Sequence, residues 1–438
     1  MRSRTSRLLA LAGSTAVLAA AIAAPASAGR PPRPQPSSAP KNVIVFVGDG
    51  MGPAQVNLGR TMNGGSLFID QIPWGAKGSL DTTSLEGTTD SAAGATALAS
   101  GAETNNGWVG MVPTSGGGGQ AVETVLERAE DRGKATGLIS DSYITDATPA
   151  AFAAHVTSRS ETEAIAGQMA DQGMEFLMGG GLRQGSVAPL LGLPGHTYVD
   201  TADELDAYVA GGGAGPVFGF FGSWNMAFNL DRDDEGVATT DPTLPEMTAA
   251  ALSTLSKDPD GFFLMVEAGL IDWAGHEGDA ASMGDEMIEM DDAVQVAYEW
   301  AASRSDTSII FTADHETGGF APTRRTNYTA LKAQTATLEY MWGRISKGDS
   351  IRSTLTTYAN IVPTAGEIAT VTACGEHGIR DVLAARWKVT WGESCTDEGE
   401  HTDTFVPAWA WGPRAGDFAG IGYDNERVGL NLLSYFAA

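Results

Sequence analysis

Three of the six histidines in this 438-residue chain stand beside carboxylates in short polar segments. They are His276 in "VEAGLIDWAGH", His315 in "TADHETGG" and His401 in "EHTDTF". Imidazole together with carboxylate is a ligand set suited to zinc, whereas oxygen ligands alone suit magnesium. One acid of this kind is most simply a helix cap or a solvated charge. Several of them placed after apolar segments indicate a metal-binding site instead.

The acids near these histidines lie where apolar segments end. Asp49 follows "KNVIVFV", Glu267 follows "FFLMV", and Asp314 follows "TSIIFTA". Asp272 and His276 have Asp-x-x-x-His spacing, which places both side chains on one face of a helical turn or tight loop. The pattern predicts that ligands from distant parts of the chain meet at one edge of a sheet.

A serine opens a run of small residues in "EGTTDSAAGATALASG", residues 86–101. Thr88, Thr89 and Asp90 are candidate N-caps, and the small residues that follow would let a helix lie close to a sheet. The free N–H groups at such a helix start can also hold an anion. The segment alone favours the capping interpretation, and Ser91 becomes a candidate nucleophile only if the rest of the chain supplies its activator.

The segment "DSYITDATPAAFAAHVTSR" adds Asp146, Thr148 and Arg159 to the candidate residues. The planar fork of an arginine can bind two oxygens of a phosphate. His155 in the same segment has no carboxylate beside it in sequence, which favours a structural role for that imidazole.

Apolar strands with polar residues at their carboxyl ends alternate with helical segments along the chain. "KATGLIS", "GFFLMVEAG" and "DTSIIFTADH" repeat the design of the first strand. Methionines and alanines recur at steps of three and four from about Ser282 to Ala302, which predicts a helix. The alternation predicts a three-layer α/β/α fold with a large, mostly parallel sheet and ligands beyond the carboxyl ends of its strands.

The ends and cysteines of the chain predict its organisation. An Arg-rich front, an apolar centre from Leu8 to Ala24 and "APASA" ending at Ala28 are typical of a secretory signal peptide, residues 1–28. The Pro-rich residues 29–40 resemble a tether, and residues 41–438 are expected to form the folded domain of a secreted or periplasmic protein.

Within this domain, residues from about 323 to 400 are expected to be a less regular, crown-like insertion near the site. Its two cysteines, Cys374 and Cys395, are expected to form a disulfide in an exported protein, with free thiols as the alternative.

The formal net charge of −27 argues against anionic binding partners. So acidic a surface disfavours binding to nucleic acid and to anionic membranes, and no apolar run of membrane-spanning length follows the first thirty residues. An anionic ligand would need strong local positive charge, of which bound metal ions are the usual source.

The motifs together resemble those of alkaline phosphatases. The resemblance rests on "VGDGMG", "TTDSAAGATALASG", "DATPAAFAAHVTSR", "VEAGLIDWAGH", "TADHETGGF" and "EHT", which occur in the order found in that family. It implies a phosphomonoesterase that hydrolyses phosphate monoesters to inorganic phosphate, and members of the family are often homodimers. It also implies two zinc ions and one magnesium ion. The implied ligand sets are Asp272, His276 and His401 for the first zinc, Asp49, Asp314 and His315 for the second, and Asp49, Thr148 and Glu267 for magnesium.

The same resemblance gives Ser91 the role of nucleophile, activated by zinc through a phosphoserine intermediate. It makes Arg159 the phosphate-binding arginine and places Asp146 near the magnesium waters. Trp273 departs from the pattern, because some relatives have lysine or histidine there, and this leaves the identity of the third ion open. Asp403 stands where glycine is common, and it either orients His401 or faces solvent.

Two other functions remain as alternatives at this point. One is a phosphodiesterase or sulfatase on the same scaffold, against which Thr148 and Glu267 argue because the diesterases lack the third metal site. The other is a secreted metal- or phosphate-binding protein without turnover, which would have no need of a serine at that helix start.

Overall fold

A computed structural model describes residues 39–181, 187–232, 240–391, 395 and 399–437 of the chain. The predicted signal peptide, residues 1–28, lies outside the described residues, as does the tether up to residue 38. The described residues from position 39 onward form one compact unit. Within the described residues, no helix combines the length and apolar character needed to cross a membrane.

The strands at the centre of the fold are apolar runs buried along their whole length. The first, Asn42–Gly48, and the strand Phe262–Ala268 are buried at every position, as expected for parallel strands covered on both faces. In chain order the strands of the described residues are β1 (Asn42–Gly48), β2 (Ala76–Asp81), β3 (Thr83–Ser84), β4 (Gly87–Thr88), β5 (Met111–Pro113), β6 (Gly119–Ala121), β7 (Ala135–Tyr143), β8 (Phe176–Gly180), β9 (Thr197–Val199), β10 (Val217–Phe221), β11 (Phe262–Ala268), β12 (Thr307–Thr312), β13 (Glu316–Thr317), β14 (Ala321–Pro322), β15 (Val389–Thr390), β16 (His401–Thr402), β17 (Val406–Trp411) and β18 (Tyr423–Asp424).

Ten of these strands form the central sheet, in the order β18-β2-β17-β12-β1-β11-β7-β8-β10-β9. From β12 to β9 all neighbouring strands are parallel, and β17 runs antiparallel to both β12 and β2. The parallel strands therefore present their carboxyl ends at one edge of the sheet, where β1, β11 and β12 lie side by side. This confirms the predicted mostly parallel sheet.

Helices cover the sheet in two packed groups and complete a three-layer α/β/α fold. The helix predicted near residues 282–302 spans Ala280–Ala301, and its methionines are fully buried. It packs on the helices Pro53–Met62, Leu244–Leu255 and Leu270–Glu277. The α-helices of the described residues are α1 (Pro53–Met62), α2 (Ser91–Ser100), α3 (Val125–Asp131), α4 (Ala147–Ala153), α5 (Thr162–Asp171), α6 (Ala202–Ala210), α7 (Leu244–Leu255), α8 (Leu270–Glu277), α9 (Ala280–Ala301), α10 (Tyr328–Leu331), α11 (Leu338–Ser346), α12 (Ile351–Tyr358), α13 (Ala365–Trp387) and α14 (Glu426–Tyr435).

The described residues of the region near 323–400, which is predicted to be an insertion, include several helices joined by irregular segments. It contains α10 to α13, with α13 interrupted at Gly375, where φ is 61°. Capping threonines and serines begin three of these helices, which is a local signal that the sequence-based interpretation of this region overlooked. Asp279, the N-cap of α9, attaches the insertion to the core by accepting hydrogen bonds from Gln334 Nε2 (2.8 Å) and Leu338 N (2.9 Å).

A disulfide joins Cys374 of α13 to Cys395, with 5.6 Å between the two Cα atoms. Closing a loop across 21 positions restricts the unfolded chain and stabilises the fold by about 3 kcal/mol. We therefore expect the double variant Cys374→Ser/Cys395→Ser to melt several degrees below the wild type in differential scanning calorimetry. A reductant should lower the melting temperature of the wild type alone, and equal melting temperatures for the two proteins would contradict the prediction.

Candidate active site

Ser91 is the first residue of α2, and the structure explains why this helix has such small side chains. Asp90 caps the helix by accepting a hydrogen bond from Ala93 N (3.0 Å), and every residue of α2 is buried. A Cβ on Gly94 would lie 2.9 Å from the carbonyl oxygen of Asp314, so this turn of the helix packs against the chain just after β12. The capping and packing interpretation of the segment is therefore confirmed, and Ser91 lies beside His315, one of the candidate ligands.

The hydroxyl of Ser91 is buried beside side chains from two other parts of the chain. Its oxygen lies 3.1 Å from Nε2 of His315 and 3.5 Å from Nη1 of Arg159. The same His315 nitrogen is 3.4 Å from a carboxylate oxygen of Asp49 and 3.4 Å from one of Asp314. The structure thus brings together the three residues expected to hold the second zinc and places Ser91 beside them.

The three residues expected to hold the first zinc also meet. His276 Nε2 lies 3.3 Å from Asp272 Oδ2 and 3.3 Å from His401 Nε2, and one ligand atom from each residue lies within 4.8 Å of the others. Asp272 and His276 occupy one face of α8, as their spacing predicted. His401 follows the predicted insertion in the chain. It reaches the cluster because β16 pairs antiparallel with β13, which sets His401 opposite Thr317.

Backbone and hydroxyl groups orient these side chains. His276 Nδ1 contacts the carbonyl oxygen of Gly399, and His401 Nδ1 contacts that of Thr89 at 2.7 Å. Thr317 Oγ1 donates a hydrogen bond to Asp272 and lies 3.1 Å from His315 Nδ1. In each imidazole Nε2 is left to face the cluster, an arrangement that fixes the ring for metal binding.

Sequence reasoning missed Thr317 as a contributor to the site. It lies inside the quoted motif "TADHETGG", two residues after His315, but a lone threonine carries no signal of its own. Only the contact with Asp272, 45 positions away, gives it a role.

The residues expected to hold magnesium lie at the ends of β1 and β11 and in α4. Thr148 Oγ1 donates to Asp49 Oδ2 at 3.4 Å, and Ser142 Oγ lies 3.5 Å from Glu267 Oε2. All of these side chains are buried. One oxygen each of Asp49, Glu267 and Asp314 is buried without a hydrogen-bond partner.

The electrostatics of this cluster indicate how cations would fit. Burial and the neighbouring carboxylate of Asp314 raise the pKa of Asp49 well above its ordinary value. Burial and Asp146 do the same for the pKa of Glu267, and burial with Asp272 raises the pKa of Asp314 to about 8. Divalent cations would displace the protons that these carboxyls otherwise retain and would satisfy the unpartnered oxygens. The donor set therefore fits bound metal ions.

In the histidine-rich part of the cluster, the pKa values of Asp272 and His315 are lowered instead of raised. Burial acts against ionisation of Asp272, but the adjacent His276 and the other imidazoles hold its pKa below the ordinary value. Burial and the nearby His401 lower the pKa of His315, which keeps this imidazole neutral and able to donate a lone pair to a metal.

Arg159 is held beside Ser91 by two carboxylates. Its Nη2 lies 2.9 Å from Asp146 Oδ1, and its Nη1 lies 3.3 Å from Asp90 Oδ2. Although burial acts to lower it, the charge of Asp146 raises the pKa of the Arg159 guanidinium, so the side chain stays cationic. Asp146 also caps α4 by accepting from Ala147 N at 2.7 Å, which places it between the arginine and the Glu267 side of the cluster.

The structure also places three further residues singled out in the sequence. Trp273 follows Asp272 in the first turn of α8. Asp403 is exposed and accepts a hydrogen bond from Thr88 Oγ1 at 2.5 Å, so it does not orient His401. His155 contacts Glu127 and the carbonyl oxygen of Gly110 at 2.8 and 2.7 Å, which agrees with a structural role.

The fold and this cluster define a class of protein: three-layer α/β/α proteins with a candidate nucleophile and candidate metal-binding side chains at the carboxyl edge of a mostly parallel sheet. The sequence profile of the alkaline phosphatase family matches residues 40–192 and 193–436. Alkaline phosphatase 3 of Bacillus subtilis is 31% identical over 426 residues, covering 90% of this chain and 88% of the relative. Alkaline phosphatase 4 of the same organism is 32% identical over 421 residues, covering 89% and 87% of the two chains.

Solved structures give the same result. The cold-active alkaline phosphatase of a psychrophilic Shewanella sp. superposes with a TM-score of 0.79 at 27% identity, covering 91% of this chain and all of that one. The chain belongs to the alkaline phosphatase family, whose members are metal-dependent phosphoric monoester hydrolases.

Proposed function

We propose that the protein hydrolyses phosphate monoesters through a phosphoserine intermediate on Ser91. The observation that carries the proposal is the position of the Ser91 hydroxyl at the start of α2, 3.5 Å from the Arg159 guanidinium and 3.1 Å from His315. A phosphoryl group placed there meets a nucleophile, a fixed cation and the free N–H groups of a helix start at the same time.

We propose two zinc ions and one magnesium ion as the resident metals. Asp272, His276 and His401 would hold the first zinc, and mixed imidazole and carboxylate ligands suit it. Asp49, Asp314 and His315 would hold the second, and the oxygen ligands Asp49, Thr148 and Glu267 suit magnesium. A solved mutant of the alkaline phosphatase from the Antarctic bacterium TAB5 has magnesium bound in its M3 site, which supports a third site of this kind. Bound cations would lower the pKa of the serine hydroxyl and neutralise the charge on the attacking and departing oxygens.

Residues of the chain itself carry out the two displacements and position the phosphate. The Ser91 oxygen loses its proton and forms a bond to phosphorus as the bond to the ester oxygen breaks, and the alcohol leaves with a proton. Water then attacks the phosphoserine, releases inorganic phosphate and restores the serine hydroxyl. Arg159 binds the non-reacting phosphate oxygens, and Asp146 with Asp90 keeps its guanidinium aimed at them. Thr317 keeps Asp272 and His315 in place during both displacements.

A comparison of monoester and diester substrates tests the proposed function. We expect p-nitrophenyl phosphate to be hydrolysed at least tenfold faster, as kcat/KM, than bis-p-nitrophenyl phosphate, because a monoester presents more free oxygens to Arg159 and to the helix start. A diester turned over tenfold faster than the monoester would indicate a phosphodiesterase, and faster turnover of p-nitrophenyl sulfate would indicate a sulfatase. Binding of phosphate without hydrolysis of any of these esters would indicate a binding protein that is not an enzyme.

Replacing Arg159 with alanine should weaken phosphate binding without removing activity. Loss of a bidentate, charge-assisted contact costs about 1.5–3 kcal/mol, or roughly a ten- to hundredfold rise in the inhibition constant of inorganic phosphate. The matched control is Arg128→Ala, which removes an arginine that pairs with Glu123 instead. An unchanged inhibition constant in the Arg159 variant would contradict the assigned role.

We also propose that residues 1–28 are removed during export and that the enzyme works outside the cytoplasm, as a monomer or homodimer. N-terminal sequencing of the mature protein from the native cell tests this point: a start near Gly29 is expected, and a retained N-terminus would contradict it.

A further inference from the structure

Three carboxylates that belong to none of the proposed ligand sets are buried together. Asp141 lies in β7, and Glu286 and Glu289 lie about one helical turn apart in α9. One carboxylate oxygen from each residue lies within 4.8 Å of the others, and the three residues are only 3%, 1% and 5% exposed. We call these three residues the acidic triad. Like charges buried so completely require either a compensating cation or bound protons.

Backbone N–H groups hold one oxygen of each carboxylate in the acidic triad. The donors are Gly269 N (2.6 Å) and Leu270 N (3.1 Å) for Asp141 Oδ1, Asn229 N (2.7 Å) for Glu286 Oε1, and Leu244 N (3.0 Å) for Glu289 Oε1. Hydrogen bonds of this kind orient carboxylates that bind metal ions. They bring no formal positive charge to the triad.

The other oxygen of each carboxylate receives no hydrogen bond from the residues that the structure describes. The clearest case is Glu286 Oε2, which is buried and has no hydrogen-bond partner among those residues. The charges that act most strongly on Glu286 are those of Glu289 and Asp141, so its carboxylate faces the other two acids. A buried oxygen without a donor costs free energy, which a cation bound within the triad would recover.

Without a cation the acidic triad must retain protons. Burial and the neighbouring Glu289 raise the pKa of Asp141 to about 7, and burial with Glu289 raises the pKa of Glu286 well above its ordinary value. Arg232 acts to lower the pKa of Asp141, but its guanidinium donates to two backbone carbonyl oxygens, at 3.0 and 3.1 Å, and to no carboxylate of the triad. A divalent cation would displace the protons and neutralise the remaining charge.

We propose that the acidic triad binds a hard divalent cation, calcium or magnesium, at a site separate from the three proposed above. Carboxylate oxygens without imidazole or thiolate are the ligands that these cations prefer. Oxygens on opposite sides of a calcium ion lie about 5 Å apart, because each calcium–oxygen distance is about 2.3–2.6 Å. Three oxygens within 4.8 Å of one another can therefore share one ion.

The bound cation would have a structural role. The backbone donors of the triad include Gly269, which precedes α8, and Leu244, the first residue of α7. Helix α8 carries Asp272 and His276 of the candidate active site. The cation would fix the carboxylates that hold the starts of α7 and α8 against α9 and β7, without contact with the substrate. The inference does not depend on the proposed phosphatase activity.

The test counts hard cations bound to the full chain. Metal-free protein reloaded with zinc is dialysed against magnesium chloride or calcium chloride, and the bound ions are counted by plasma mass spectrometry. The wild type is expected to bind one equivalent more, of at least one of the two cations, than Glu286→Gln/Glu289→Gln. The amides of this triad variant still accept the backbone hydrogen bonds but carry no charge. The proposed magnesium ligands are present in both proteins, so the difference between them reports only on the triad, and the two dialyses decide which cation it binds.

The matched control is Asp291→Asn. Asp291 is a buried carboxylate of the same helix that accepts from Phe68 N and Ile69 N at 2.6 and 2.8 Å, outside the triad, so this variant should bind as many ions as the wild type. If the double variant fails to fold, Glu289→Gln alone should weaken binding of the additional ion by at least about tenfold. Equal binding by the wild type and a folded triad variant would overturn the inference, as would a wild type that binds neither cation. Protons and Arg232 would then balance the triad.

Melting temperatures give a second readout. Addition of the bound cation to the zinc-loaded protein should raise the melting temperature of the wild type and of Asp291→Asn by several degrees more than that of the triad variant, because only an intact triad gains stability from the additional ion. The zinc content should be the same in all three proteins, since no proposed zinc ligand is changed. An equal rise in the triad variant would overturn the structural role.

Discussion

Ser91→Ala is expected to lower kcat for p-nitrophenyl phosphate by at least about a thousandfold, because the variant has no oxygen at the start of α2 to form the phosphoserine. The residual rate would come from water, with Arg159 and any bound metal ions still in place. Trapping the enzyme with labelled phosphate at acidic pH should give a phosphoprotein in the wild type and none in the variant. Mass spectrometry of the labelled wild type should place the phosphate on Ser91.

Two measurements separate this chemical role from a structural one. The zinc and magnesium contents of Ser91→Ala, measured by plasma mass spectrometry, should remain near those of the wild type, because the proposed ligands are other residues. Ser100→Ala is the matched control: Ser100 is a buried serine at the other end of α2, where it donates to Thr96 O at 2.7 Å. A variant at Ser91 that loses its metals, or retains phosphoprotein labelling, would refute the assignment.

Removal of metal ions with a chelator is expected to abolish phosphatase activity, with a loss of about a thousandfold or more. It should also destabilise the protein, because without cations the buried carboxyls of Asp49, Asp314 and Glu267 must either take up protons or repel one another. Calorimetry should therefore give a lower melting temperature after chelation. Addition of zinc and magnesium together should restore both the activity and the melting temperature.

The controls for this experiment use the chelator and the histidines. A chelator already saturated with zinc should have no effect on the enzyme. His276→Ala should reduce the zinc content, whereas His196→Ala, which removes a histidine that packs on Phe218 away from the cluster, should not. Full activity in a protein verified to be free of metal would refute the proposed mechanism.

The proposed metal site would also explain how so acidic a protein could bind an anion. The net charge is −27, yet the proposed phosphate site combines Arg159, the N–H groups at the start of α2 and residues suited to three divalent cations. Local positive charge at the sheet edge would thus exceed the repulsion from the rest of the surface. The acidic surroundings of Arg159, chiefly Asp146 and Asp90, hold the guanidinium in place without neutralising the whole site.

The sequence alone predicted a large, mostly parallel sheet and the candidate ligands at its carboxyl edge. Buried strands such as β1, β11 and β12 are continuous apolar runs, and the acids that follow them must emerge at the same edge, because parallel strands share a direction. The i, i+4 spacing of Asp272 and His276 likewise predicted a shared helical face. These are local patterns, set by the geometry of the backbone, and a single segment is enough to reveal them.

Only the tertiary structure decided how the distant parts meet. His401 reaches the cluster because β16 pairs with β13, although α10 to α13 lie between the two strands in the chain. Its ring is oriented by the carbonyl oxygen of Thr89, 312 positions earlier. The meeting of Asp141 with Glu286 and Glu289 likewise had no signature in the sequence. Such contacts depend on the packing of elements far apart in the chain, and propensity and periodicity describe only neighbours a few residues apart.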